Sequence, residues 1–167
     1  EVKNEGNVSI KELKVTDDLE KTFPSSKVEK FKVVKKPSSK DLETNSKYDG
    51  KDKTNLIDNG QTLNKNKKAT ITFTVRVTPK DSTKDETTKY DNKACVEGKT
   101  SKDKKELDEC DNAKVEIKVE LVDVGLGNKP ALQIFIGTML IMMVSTLKLI
   151  ATLNEDEKEL QEVRSLL

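Results

Sequence analysis

In the run "ATITFTVRVT" (69–78), Ile71, Phe73, Val75 and Val77 alternate with Thr70, Thr72, Thr74, Arg76 and Thr78. A period of two places one set of side chains on a core and the other on a sheet surface, so the run predicts a half-buried strand. The run "AKVEIKVEL" (113–121) repeats the pattern, with Ala113, Val115, Ile117, Val119 and Leu121 inward and Lys114, Glu116, Lys118 and Glu120 outward. "VSIKELKVTDDL" (8–19) alternates with a slip: Val8 and Ile10 share one phase, Leu13 and Val15 the other. One extra residue near Lys11-Glu12 restores a single inward face, which predicts a β-bulge there. "KVEKFKVVKK" (27–36) and "KYDNKACVEG" (89–98) read as further strands.

Turn-forming clusters separate these runs: "NEGN" (4–7), "FPSS" (23–26), "YDGKD" (48–52) and "DNG" (58–60). Gly, Pro, Asn and Asp in such clusters meet the backbone demands of tight turns. Short strands with turns between them, and no helical period before residue 123, predict an all-β antiparallel sandwich of the immunoglobulin-like kind.

The same residues carry a family resemblance. "VKNEGNVSIKELKVTDDL" resembles the opening of the bacterial cell-surface repeats known as Domain of Unknown Function Eleven, which read like V-x-N-x-G-N-x-x-L-x-x-V-x-V-x-D-x-L. "TNLIDNGQTLNKNKKATITFTVRVTP" resembles that family's central strand and the turn before it, and "YDNKACVEG" with "DECDNAKVEIKV" resembles its last hairpin. The three blocks fall in order over residues 1 to about 122. The resemblance implies an extracellular immunoglobulin-like module, often in tandem arrays, and no catalytic residue. Two departures stand out. The strand that normally precedes "VKNEGN" is absent, and "NKNKK" replaces a small turn residue, with Asn66 as the candidate for a left-handed conformation.

After this region the chain changes character. From Ala131 to Leu147 there are 17 uncharged residues, and the stretch 131–153 holds one charge, Lys148. A helix of 17 residues is about 25 Å long, and one reaching Leu153 is about 35 Å, which brackets a bilayer core. Residues 131–153 therefore predict one membrane helix through Ala131, Leu140, Leu147 and Lys148, with Pro130 at its entry and Lys148 reaching the headgroups. A core or oligomer-packing helix is the competing reading. The partition expected is a sandwich over 1–122, a linker over 123–130, the span over 131–153 and an acidic cytoplasmic tail over 154–167. That tail carries five acids and two bases, against the positive-inside rule, but acids weigh little in it, and an N-outside, C-inside orientation is kept. Leu160, Val163 and Leu167 recur at helical spacing, which suits a short helix.

Composition narrows the function. Charged residues make up 37% of the chain with a net charge of +1, too balanced for a nucleic-acid footprint, and aromatics are 4% with no Trp to stack bases. There is no His, which removes the commonest general base and metal ligand. The expectation is a chain that is not an enzyme and holds no cofactor.

The two cysteines, Cys95 and Cys110, both sit on the last hairpin. By parity both lie on the solvent face of neighbouring strands or their loop, which predicts a disulfide closing a loop of about 16 residues in an oxidising compartment. Asp17 with Asp18, or Asp49, Asp52 and Asn55, offer oxygen ligands for calcium, but they miss the EF-hand spacing and read as solvated loop acids. Asn7-Val8-Ser9 matches a glycosylation sequon. Asn92 and Asn112 are candidates for a Lys–Asn cross-link without an identifiable buried Lys.

The function expected is a membrane-anchored spacer that presents more distal domains of its own chain at the cell surface. The alternatives are an adhesin-type binding module with an unknown surface ligand, or a filament subunit. Because Glu1 falls where the repeat pattern has its second strand, the missing strand is expected from upstream in the same polypeptide, with a donor strand from a neighbouring subunit as the other possibility.

Overall fold

The structure, a computed structural model, describes residues 1–80, 86–119 and the backbone of 147–149. Its elements are β1 (Val2–Asn4), β2 (Ile10–Asp17), α1 (Leu19–Thr22), β3 (Val28–Ser38), β4 (Gln61–Leu63), β5 (Lys68–Ala69), β6 (Thr72–Pro79), β7 (Glu86–Thr100), β8 (Glu106–Val119) and β9 (Leu147–Leu149). Most described residues are in strands, and the pairings are antiparallel except that of β1 with β9. The strands form a four-stranded sheet in the order β4-β2-β7-β8, a three-stranded sheet β5-β1-β9 and a β3-β6 pair.

The β-bulge expected near Lys11-Glu12 is present. Ile10 and Lys11 pair with Thr100 and Lys99, then Lys14 pairs with Glu97, so β2 carries one extra residue. Glu12 takes it up at φ 53. The extra residue brings Ile10, Leu13 and Val15 to one face, where all three are buried. Gly98, opposite the bulge, makes this approach possible, because a Cβ there would stand 2.5 Å from Ile10 Cγ2. Asn66, at φ 56, adopts the left-handed conformation the sequence assigns to it.

Among the described residues before 123 the helix content is the single turn α1, capped by Asp18, whose Oδ1 accepts from the Lys21 amide at 3.2 Å. One turn is too short to register as a period. In β6, Thr74 and Thr78 are buried rather than outward. The β3–β6 ladder has three register shifts, so strict alternation does not survive along it. One shift falls between Val33 and Lys35 and leaves Val34 exposed.

The core joins the sheets through aromatic rings. Phe23, just after α1, packs 6.2 Å from the Phe31 ring on β3 and 5.2 Å from the Tyr90 ring on β7. Tyr48, on the long β3–β4 connection, packs edge-on at 5.1 Å against Phe73 of β6. Phe23 and Tyr48 are fully buried, and each such ring contributes about 1.5–3 kcal/mol by leaving water. These contacts tie the β3–β6 pair to the four-stranded sheet.

Of the predicted membrane helix, Ala131 and Leu140 lie outside the described residues. Leu147 and Lys148 do not continue a helix: with Leu149 they form β9, parallel to β1. β1 is paired with β5 on one edge only, and a short extended segment satisfies the other. Among the described residues no helix is long and apolar enough to cross a membrane.

Candidate functional site

Four buried groups converge where β2 ends. Continuing the inward phase of Leu13 and Val15, the next position on that face is Asp17, which is 3% exposed. On β7, Tyr90, Ala94 and Val96 face the core, and Asn92, in the same phase, is 0% exposed. The chain turns after Asp17 because Asp18 starts α1, and the Leu19 and Glu20 amides both donate to Gly50 O, at 2.7 and 3.2 Å. That single turn carries Thr22 back over Asn92.

The contacts form a chain. Thr22 Oγ1 donates to Asn92 Oδ1 at 2.6 Å, and Asn92 Nδ2 donates to Asp17 Oδ2 at 2.9 Å. Thr22 Oγ1 also lies 3.3 Å from Asp18 O. The Tyr48 hydroxyl donates to the backbone oxygen of Asp17 at 3.3 Å, and the Asp17 amide donates to Thr54 O at 3.0 Å. Asp17 Oδ1 is buried without a hydrogen-bond partner. An unsatisfied oxygen on a buried carboxylate is costly, and a carboxyl in that position favours its proton. Burial accordingly raises the Asp17 pKa to about 6, against the Asn92 hydrogen bond that lowers it and with the Asp18 charge that adds to the rise. Burial likewise drives the Tyr48 hydroxyl far above its ordinary range.

The sequence reading of Asp17 as a solvated loop acid is thus overturned, and its partners Thr22 and Asn92 form no motif with it along the chain. A signal is nevertheless present: Asp17 follows Leu13 and Val15 at spacing two, and Asn92 stands between Tyr90 and Ala94 at the same spacing. A polar residue in the inward phase of a strand marks a buried polar group.

The other candidates are dispersed. Asp18 serves as the helix cap. Asp49 Oδ1 accepts from the Lys51 and Lys53 amides, both at 2.9 Å, and so folds its own loop. Asn55 Nδ2 donates to Asn59 Oδ1 at 3.2 Å, and Asp52 is exposed. No group of three or more acids or cysteines among the described residues is arranged to hold a metal. Asn7, in the sequon, is exposed, and Asn112 lies on β8 away from any buried Lys among the described residues. The hydrogen-bond partners of the Asn92 side chain are Thr22 and Asp17, and no Lys takes the place a Lys–Asn link would need.

Cys95 and Cys110 are directly opposite in the β7–β8 ladder and form a disulfide, with Cα atoms 4.0 Å apart. Cys95 is half-buried between the inward Ala94 and Val96, so the bridge lies on the opposite face of the sheet, where parity places it. An open groove also runs between α1, β3 and the 49–52 loop, lined by Phe23, Phe31, Val33 and Lys36 among others.

No family model, curated protein or solved structure matches this chain.

Proposed function

We propose that this chain is a cell-surface structural module, an immunoglobulin-like sandwich over residues 1–122 that holds other domains of its polypeptide away from a membrane. The observation that carries this reading is the disulfide across β7 and β8. Disulfides persist in oxidising, extracellular settings, and one placed between the two longest strands fixes their register rather than shaping a reactive site. The surface supports a spacer over an adhesin. Among the described residues Val34 is the one exposed large apolar side chain, and binding hot spots favour buried aromatic and Arg anchors.

Attachment is assigned to the uncharged run that begins at Ala131. A span reaching Leu153 and the β9 strand exclude each other in one molecule, so β9 belongs to the chain when that run is outside a bilayer. The test is expression of the full chain behind a signal peptide, followed by carbonate extraction and protease treatment of intact cells. The expected result is a carbonate-resistant chain whose residues 1–119 are cut from outside. Recovery in the soluble fraction overturns the membrane reading.

A second reading, a filament subunit completed by a donor strand, draws on one observation: the edge of β1 opposite β5 takes a short parallel strand, β9.

A further inference from the structure

The buried cluster of Asp17, Thr22 and Asn92 holds a nucleophile, an acyl group and an acid in contact, sealed from water. Asp17, Thr22 and Asn92 are 3%, 3% and 0% exposed. Asp17 accepts from the Asn92 amide, but its burial is costly and leaves Oδ1 without a partner.

We propose that Thr22 and Asn92 become joined by an ester bond, formed when the Thr22 hydroxyl attacks the Asn92 side-chain amide with Asp17 acting as the acid. The inference stands on these contacts and does not depend on the spacer reading.

Each part of the step has a group beside it. A half-turn of the Asn92 amide about its terminal bond exchanges Oδ1 and Nδ2. The neutral Asp17 carboxyl, 2.9 Å from the amide, then donates to the Asn92 carbonyl oxygen and draws electron density from Cγ. In the same orientation the Thr22 hydroxyl turns its proton to Asp18 O, 3.3 Å away, and presents a lone pair to the amide. The Oγ1–Cγ bond forms and the Cγ–Nδ2 bond breaks. The hydroxyl proton passes to the departing nitrogen, which leaves as ammonia, and Asp17 ends with the proton it began with. No oxidant or reductant is needed. Exclusion of water protects both the intermediate and the finished ester from hydrolysis. The product ties α1 to β7 across a sequence separation of 70 residues.

The acid must be protonated to work, so the linking rate falls as pH rises through about 6. The titratable groups facing Asp17 are Asp18 at the start of α1 and Tyr48 from the β3–β4 connection. β7 contributes the neutral Asn92.

Intact mass of the full chain after reduction decides the matter. The expected mass is about 17 Da below that of the sequence, the loss of one ammonia. Digestion should yield one species containing both the Thr22 and the Asn92 peptides, split by hydroxylamine. Thr22→Val should restore the full mass, Thr22→Ser should regain the loss, and Asp17→Asn should slow linking by about tenfold or more. A folded wild-type chain that keeps its full mass overturns the proposal. So does a loss that persists in Thr22→Val, because an imide between Asn92 and Lys93 has the same mass.

Discussion

Cys95 and Cys110 are bonded partners on adjacent strands and also direct neighbours in the β7–β8 register. Their bond therefore adds no new contact to the folded hairpin. It locks a pairing that thirteen other residue pairs already specify, from Glu86↔Val119 to Lys99↔Glu106. A one-residue slip would turn Tyr90, Asn92, Ala94 and Val96 away from the core, so the register is worth locking.

The contribution of this bond lies in the unfolded chain. A loop of about 16 residues is worth roughly 3 kcal/mol in the chain-entropy account. Replacing both cysteines by Ala should lower the unfolding free energy by that amount, read as a lower denaturant midpoint, and leave the spectrum of the folded state unchanged. Intact mass should rise by about 2 Da when the native protein is reduced.

Asp17 makes stability depend on pH in an unusual direction for an acid. Its carboxyl titrates at about 6 in the fold, against an ordinary value of 3.8. Between these values the folded state holds more protons than the unfolded one. The Asp17 contribution is fully present below pH about 4 and is lost as pH rises through about 6. The difference amounts to about 3 kcal/mol. Urea melts should show this loss superimposed on the titration of other groups, and Asp17→Asn should remove it. A variant and wild type with parallel profiles from pH 4 to 7.5 would refute the assignment.

Gly98 and Gly50 are both required by contacts. Gly98 faces the bulge, where an added methyl meets Ile10, and the nearby Lys11 carbonyl at 3.3 Å leaves it little room to shift. Gly50 combines φ 78 with side-chain contact to Leu19. Gly98→Ala should cost about 1–3 kcal/mol through overpacking. Gly50→Ala should cost about as much, and it adds left-handed strain of about 1–2 kcal/mol. Thermal melts check both, with Gly60→Ala as the reference, since φ is 81 there but nothing lies within 4 Å of the added methyl.

What is legible in the sequence follows from range. The bulge at Glu12, the left-handed Asn66 and the surface position of Cys95 each depend on residues a few positions away. Local alternation and turn chemistry therefore reveal them. The burial of Thr74 and Thr78 depends on how β3 slips against β6, which no local pattern records. The Asp17–Asn92 contact spans 75 residues, and nothing between them announces it except that both occupy an inward phase. The β1–β9 pairing is further still from local pattern, since Leu147–Leu149 sits at the end of an apolar run whose composition alone favours a helix.

That pairing singles out one amide. Along β1 successive amides point to opposite edges. Asn4 N donates to Lys67 O on the β5 side, at 2.8 Å, so the neighbouring Lys3 amide faces β9. A chain ending at residue 122 lacks β9 and leaves that amide without its strand partner. Hydrogen exchange in water should then show Lys3 protected in the full chain and fast in 1–122, while Asn4 stays protected in both. The lost ladder bonds are worth about 1 kcal/mol each, and the opened edge should make 1–122 associate with rising concentration. A synthetic peptide covering residues 145–151 should restore both the Lys3 protection and the monomer. Fast exchange at Lys3 in the full chain, or a 1–122 fragment that stays monomeric at millimolar concentration and unfolds at the same midpoint, would show that β9 does not guard this edge.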